Sequence, residues 1–404
     1  MQFKSETDKP GNETTAPNSA TQGSEDGDET TPTLNPDLCD RESYTADDET
    51  VKAAMDTVVA TAGDAKLTNG MLQIYYWLDY YTFLNNYGNY ISYMGLDPTA
   101  PLDEQGCPSY EDATWQHNFL SSALNAWQNY QALALMADVE NIPMEKAFQE
   151  DLDKLEETLK ASAEKGKHES VDAMLQAEAG PGCNFQVYKQ YMEIYYKGYS
   201  YFNAKASEIN ITDDMVGAYF DEHAAELKEQ GIEKDGSLVH DVRHILIPVE
   251  GGTKDKDGKT TYSDAEWAAC QAKAQKILDE WLAGDATEDT FAEFANKHST
   301  DPGSNTKGGM YSDLTKETNF VEEFKNWYLD SSRKAGDYGL VKSSYGYHIM
   351  YYSGYAQKWF RESKYYMMDE MSAKIVTDAV AKYPMTVNYD AIVLGFVDTA
   401  KESK

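Results

Sequence analysis

Histidines are the residues of this sequence best suited to hold or pass a proton, and their distribution is uneven. Four of the seven fall between residues 236 and 355. His244 stands within VRHILIP and His348 within YHIMYYS, and both runs have the composition of a β-strand. A single strand histidine is usually a core residue held by hydrogen bonds. Two of them on neighbouring strands indicate a functional pair, and a purely structural role for each stays the alternative.

Other catalytic signatures are missing from the sequence. It contains no Gly-x-Ser-x-Gly elbow, no phosphate-binding glycine loop before a helix and no His-Glu-x-x-His motif. KDKDGK resembles the start of a calcium loop but lacks the downstream glutamate, which favours a flexible loop. We therefore predict no metal and no cofactor.

The four cysteines, at 39, 107, 183 and 270, form no Cys-x-x-Cys motif, so a zinc site is not expected. A disulfide among Cys39, Cys107 and Cys183 and plain buried thiols are both compatible with this spacing. Cys270 belongs to a helical pattern with Trp267, Ala274, Ile277 and Trp281, which predicts a packed thiol and not a nucleophile.

The charge balance excludes several classes of partner. With 35 basic and 69 acidic residues, the net charge of −34 disfavours nucleic-acid binding and attachment to anionic lipid. No apolar run reaches the roughly 18 residues that a membrane span needs. Residues 1–43 are rich in Ser, Thr, Gly, Pro and acids, which predicts a disordered acidic tether.

The remaining chain reads as a multidomain α+β protein. Residues 44–235 are mostly helical, after a hairpin at Val58–Thr68 and a helix capped by Thr68 or Asn69. Residues 236–355 give the order strand, helix, helix, helix, strand, strand, typical of a small α+β domain with an antiparallel sheet. Residues 356–404 give a long helix and an alternating strand, TVNYDAIVLGFVD. Since one strand cannot stand alone, we expect it to pair with the hairpin, which makes the α+β domain an insertion.

Four blocks of residues 238–355 resemble the successive signatures of parvulin-type peptidyl-prolyl cis-trans isomerases. They are VRHILIP, FANKHSTDPGSNTKGG, FVEEF and YGYHIMYY, in the family's order. The flanking segments are similar to PrsA-type foldases and SurA-type chaperones, through fragments such as ATAGDAKLTNGML and DDMVGAYFDEH. The resemblance implies a parvulin (FKBP-like) α+β domain inserted in a mostly helical PrsA/SurA-like chaperone domain.

The resemblance also implies a set of site residues. His244 and His348 match the paired histidines, Asp301 the position of Asp or Cys, and Ser343 a hydroxyl residue before the last strand. Three aromatic residues match the apolar cup for the proline ring, namely Tyr311, Phe320 and Phe324. The sequence departs from the family at residues 308–312, where GGMYS replaces the usual GGDLG.

The function implied is an extracytoplasmic foldase that isomerises prolyl bonds and binds unfolded or proline-containing clients. Its acidic tether is expected to hold it to a membrane through a removed lipid anchor or signal segment, and a homodimer stays open. Two alternatives remain: a chaperone whose isomerase domain only binds polypeptide, and a surface carbohydrate-binding protein that uses its many tyrosines.

Overall fold

The computed structural model describes residues 34–256, 258 and 260–397. Most of the predicted tether, up to residue 33, lies outside the described residues. Its last part is ordered, since Pro36–Cys39 is helical and Leu38 is buried. The chain forms two compact units: described residues 34–210 with 369–397, and residues 211–368. The second unit is thus inserted in the sequence of the first.

The elements are numbered along the chain. The helices are α1 (Pro36–Cys39), α2 (Asp48–Ala54), α3 (Asn69–Tyr87), α4 (Trp115–Glu140), α5 (Lys146–Lys165), α6 (Val171–Ala179), α7 (Phe185–Ser207), α8 (Asp213–Glu222), α9 (Ala224–Glu229), α10 (Asp264–Leu282), α11 (Glu288–His298), α12 (Glu322–Tyr328) and α13 (Lys358–Lys382). The strands are β1 (Val58–Ala62), β2 (Ala65–Thr68), β3 (Leu238–Ile247), β4 (Thr253–Lys254), β5 (Thr260–Thr261), β6 (Met310–Leu314), β7 (Tyr338–Ser343), β8 (Gly346–Gln357) and β9 (Met385–Val387). Two 3-10 helices occupy Gly88–Met94 and Tyr389–Ala391.

The predicted pairing of the C-terminal segment with the hairpin is confirmed. β9 lies antiparallel to β1 in a sheet of order β2-β1-β9, with Thr61 opposite Thr386. The predicted length of this strand is wrong: after three residues the chain turns into a 3-10 helix. Leu394 then forms an isolated bridge with Thr45 and is buried. The alternating apolar residues of this segment therefore pack into the helical core without forming a ladder.

Aromatic side chains fill the core of the first unit. The Thr68 hydroxyl accepts from the Met71 amide and caps α3, as predicted. Tyr76 and Tyr80 on α3 are almost fully buried, and Phe119 on α4 packs edge-on against both. Edge-to-face geometry is favourable because the positive ring edge meets the negative ring face. These tyrosines are core residues, and they also line a pocket together with residues 100–104 and 394–397.

Asp79, on α3, is a partly buried carboxylate, and burial raises its pKa to about 6. Because its ordinary pKa is 3.8, the folded chain binds the proton more tightly, and stability falls as the pH rises through this window. We expect Asp79→Asn to raise the melting temperature at pH 7.5 and to change it little at pH 5. Calorimetry checks this, with Asp56→Asn as the exposed control. Equal shifts at both pH values would contradict it.

The second unit is built on a four-stranded antiparallel sheet of order β6-β3-β8-β7. Alternation along β3 sends Ile245 and Ile247 to one face, where α10 and α11 pack, and Val242 to the other, where α12 packs. The sequence missed β6: the observed order is strand, helix, helix, strand, helix, strand, strand, apart from the short β4–β5 hairpin. Turn formers surround MYSDL, and its pairing with β3 contains a bulge, so the strand carries no regular alternation.

The second unit also includes α8 and α9, which precede its sheet in the chain. Helices α8 and α9 pack in a small cluster of Phe220, Leu227 and Ile232, with Trp359 against it.

All four cysteines are free, and Cys270 is buried as expected. None of the helices in the described part of the chain combines the length and apolarity that crossing a membrane requires.

Candidate functional site

Two buried histidines meet on the α12 face of the second sheet. His244 on β3 and His348 on β8 are diagonal neighbours, because His348 pairs with Leu246 and His244 with Met350. Their rings are nearly parallel, with centroids 5.3 Å apart, and the two Nδ1 atoms lie 3.1 Å from each other. Both side chains are at least nine-tenths buried. The strand positions read from the sequence therefore place the imidazoles in direct contact.

Asp301 lies at the other end of His244, and three donors converge on its Oδ2 atom. His244 Nε2 is 2.9 Å away, the Ser304 hydroxyl 2.5 Å and the Tyr311 hydroxyl 2.9 Å. The backbone amide of Gly303 adds a longer contact of 3.4 Å to Oδ1. A carboxylate that accepts this many hydrogen bonds is stabilised as an anion.

The remaining bonds extend this chain of contacts to Ser343. The Tyr345 amide donates to the Ser343 hydroxyl, and that hydroxyl lies 2.8 Å from His348 Nε2. We assign three hydrogen bonds along the chain. The Ser343 hydroxyl donates to His348 Nε2, the His348 Nδ1–H donates to His244 Nδ1, and the His244 Nε2–H donates to Asp301. In this assignment Ser343 and each imidazole donate once and accept once along the chain, and Asp301 accepts as an anion at its end.

The electrostatics agree with a charged Asp301 and a neutral His348. The hydrogen bond from His244, helped by those from Ser304 and Tyr311, holds the pKa of Asp301 well below its usual range against the opposing effect of burial. Burial, and then the neighbouring His244, lower the pKa of His348 to about 4. Burial and the bond to Asp301 raise the pKa of Tyr311 to about 12. At neutral pH Asp301 is thus an anion, and His348 and Tyr311 are neutral.

Three aromatic rings stand beside this polar chain. Tyr311 on β6 meets Phe320 edge-on with centroids 4.9 Å apart, and Phe320 lies 5.0 Å from Phe324 on α12. Phe324 also packs edge-on against both His244 and His348. Phe324 is buried, whereas Tyr311 and Phe320 are partly exposed. Together they form an apolar cup whose base touches the histidine pair.

The segment that carries Asp301 and Ser304, residues 299–309, is named the Asp301 loop. It is closed at its end by Gly308 and Gly309, both with positive φ. Gly309 pairs with β3, since its carbonyl accepts from the His244 amide at 2.9 Å. A Cβ on Gly309 would lie 2.3 Å from the His244 carbonyl oxygen, so only glycine fits this approach. The double glycine therefore sets the loop directly against the strand that carries His244.

All seven residues selected from the sequence come together here, although their roles stay predictions. The run FVEEFKNWYL predicts a helix that includes Phe320, but α12 begins two residues later, at Glu322. Sequence reasoning missed Ser304, which is completely buried between Asp301 and His244. It also gave Tyr311 only an apolar role, whereas the hydroxyl binds Asp301. Among the described residues, no three His, Cys, Asp or Glu side chains are grouped closely enough to hold a metal ion.

One family model and several solved structures are similar to parts of this chain. Residues 244–354 match the family model of the PPIC-type PPIASE domain. No curated protein sequence matches the chain. The structure is similar to PrsA from Bacillus subtilis, with 18% identity over 69% of this chain and 86% of that chain and a TM-score of 0.31.

Two further solved structures are similar. The peptidyl-prolyl isomerase ESS1 from Candida albicans has 22% identity over 33% of this chain and 74% of that one, with a TM-score of 0.22. A structure described with the SurA-like chaperones PEB4 and Cj1289 of Campylobacter jejuni has 15% identity over 81% and 94%, with a TM-score of 0.20. The match to the domain model covers the segment that holds His244, Asp301 and His348.

Proposed function

Because residues 244–354 are a PPIC-type peptidyl-prolyl cis-trans isomerase domain, we propose that this protein is an extracytoplasmic foldase. In this proposal the second unit isomerises prolyl bonds, and the first unit binds unfolded or proline-containing polypeptide. The observation that carries the proposal is the chain from Ser343 through His348 and His244 to Asp301, set beside an aromatic cup.

The reaction needs no nucleophile and no cofactor. The barrier of roughly 18–20 kcal/mol arises from the partial double bond of the amide, which must twist in the transition state. A cup of Tyr311, Phe320 and Phe324 suits the proline ring, which is apolar and compact. The fixed negative charge of Asp301 lies beside this cup. When the amide twists, conjugation is lost and the carbonyl oxygen becomes less negative, so the charge of Asp301 favours the twisted amide over the planar one. Our proposal gives Asp301 an electrostatic and not a covalent role.

A turnover assay decides between catalysis and binding alone. Exchange between cis and trans Ala-Pro in a short peptide is followed by NMR, with and without the protein. We expect the exchange rate to rise in proportion to protein concentration. A rate equal to that in buffer would favour the alternative of a chaperone whose isomerase domain only binds polypeptide.

Exposed tyrosines in the first unit support a polypeptide-binding role. The 3-10 helix Gly88–Met94 carries Tyr90 and Tyr93, with 71% and 87% of their surface exposed, and Tyr87 beside it is 43% exposed. Tyrosine offers an apolar face and a polar tip at low entropic cost, which suits binding of varied polypeptide segments. The strongly acidic composition keeps such a surface soluble.

We expect the double variant Tyr90→Ser, Tyr93→Ser to lose at least half of the capacity to delay aggregation of a reduced, unfolded test protein. Its prolyl turnover should stay unchanged, because both residues belong to the first unit. Light scattering measures the delay, and Tyr366→Ser, which removes an exposed tyrosine from the second unit, is the matched control. Equal losses in both variants would contradict this assignment, and binding of glycans by the parent would favour the carbohydrate-binding alternative.

The proposed location rests on the composition of residues 1–43 and on the absence of clustered basic charge. We propose that the acidic segment links the protein, through a removed lipid anchor or signal segment, to a membrane at the outer side of the cell. Labelling of intact cells with a reagent that does not cross membranes tests this, and protection of the protein from the reagent would contradict it.

A further inference from the structure

Arg243 is a charged residue inside the second sheet that the proposed chemistry does not use. It precedes His244 on β3, so its side chain leaves the opposite face of the strand. Only 18% of that side chain is exposed. Ion pairs this well shielded are screened less than surface pairs and depend more on geometry. The partners of its guanidinium therefore indicate its structural role.

The guanidinium of Arg243 binds two partners in different elements. Nε donates to Glu288 Oε1, in the first turn of α11, at 2.9 Å, and Nη1 donates to the Gly308 carbonyl at 3.0 Å. The Ser353 hydroxyl on β8 donates to the same glutamate oxygen at 2.8 Å. The arginine thus joins β3 and α11 to the end of the Asp301 loop.

Both backbone polar groups of Gly308 are held by side chains of neighbouring elements. While Arg243 binds its carbonyl, the Asn296 side chain accepts from its amide at 2.7 Å. The next residue, Gly309, donates to the Ser304 carbonyl at 2.9 Å, within the same loop. Any shift of the Gly308 peptide therefore moves Ser304, whose hydroxyl binds Asp301.

We propose that Arg243 is a positioning residue for the isomerase site. It fixes the Asp301 loop against β3, so that the Asp301 carboxylate lies within hydrogen-bonding distance of His244. This inference rests on the proposed function of that site. An arginine suits the task because its planar fork donates in two fixed directions at once, which a lysine ammonium does not do.

The chain offers a matched control in Arg361. Its guanidinium binds Asp241 on β3 at 2.8 Å and Asp313 on β6 at 3.0 Å, and 21% of its side chain is exposed. Like Arg243, Arg361 joins β3 to a neighbouring element by donating to two acceptors. It does not contact the Asp301 loop in any bond that the structure describes. Arg361→Met should therefore cost comparable stability without moving the Asp301 carboxylate.

The experiment compares Arg243→Met, Arg243→Lys and Arg361→Met in the full chain, at a temperature where each is folded. We expect Arg243→Met to lower kcat for a prolyl peptide about tenfold with KM changed less than twofold, since small displacements of catalytic groups are costly. Arg243→Lys should recover stability but less than half of the lost rate. Amide hydrogen exchange should accelerate in residues 301–309 of Arg243→Met and stay unchanged there in Arg361→Met.

The outcomes separate the inference from the function on which it rests. An active parent with equal kcat in Arg243→Met and Arg361→Met overturns the positioning role and leaves the proposed function standing. Unchanged amide exchange in the Asp301 loop of Arg243→Met overturns it as well. A parent that does not accelerate prolyl exchange overturns the proposed function itself.

Discussion

Asp301→Asn is expected to lower kcat/KM for prolyl isomerisation about 100-fold, the size of effect seen when a preorganised polar group of an active site is removed. Asparagine keeps the shape of the side chain, and its carbonyl oxygen can still accept from His244 and Tyr311. What it removes is the negative charge on which three donors converge. NMR exchange measurements on a prolyl peptide give the rate, and Asp285→Asn, an exposed carboxylate of the same unit, is the control.

The pH profile of the parent enzyme sharpens this test. Because the pKa of His348 is lowered to about 4 and that of Asp301 lies lower still, neither group changes charge between pH 5.5 and 8. We expect kcat/KM to fall below pH 5, as His348 gains a proton and can no longer accept from Ser343. Since the ordinary pKa of histidine is 6.5, the unfolded chain binds this proton first, and stability is lost as the pH falls from about 6.5 toward 4. A rate that increases as the pH falls from 5 to 4 would contradict this role of a neutral His348.

The histidine pair could be selected from the sequence because each histidine lies in a run with a strong local signal. His244 and His348 stand in apolar, β-rich runs, and Phe324 stands in a short helical pattern. The sheet contact between the histidines then follows from two strands being adjacent, which the α+β pattern already implied. The family resemblance supplied Asp301, which no local pattern distinguishes from other acidic residues of the chain.

Other parts of the site depend on contacts that no local pattern encodes. Ser304 is one of several small polar residues in a turn-rich segment, and only the folded loop shows that it is buried against Asp301. The hydroxyl of Tyr311 reaches Asp301 because β6 pairs with β3, and β6 itself was missed. Asp313 has positive φ within that strand and interrupts the extended backbone that alternation would reveal. The residues that support a site are thus harder to predict than those that form it.

Gly309→Ala is expected to destabilise the second unit by about 3 kcal/mol or more. The substitution places a side chain at φ +71°, a conformation that costs an L-residue roughly 1–2 kcal/mol. The added Cβ would also lie 2.3 Å from the His244 carbonyl oxygen and 2.8 Å from the Ala295 Cβ. Both neighbours belong to regular elements, so relief requires backbone movement, and overpacking of this kind costs about 1–3 kcal/mol.

Gly236→Ala separates the two causes, because Gly236 has φ +84° and no atom within 4 Å of the position of a Cβ. It should cost only the conformational part, about 1–2 kcal/mol. Urea unfolding measures both losses of stability. The protection of the β3 and β8 amides from hydrogen exchange is the readout, so both values refer to the same unit. Gly309→Ala should also lose prolyl turnover while still folded at low urea, since the clash pushes the Asp301 loop away from His244. Equal losses of stability in the two variants would mean that the loop moves freely. The carboxylate would then not be held by the close approach of Gly309 to β3.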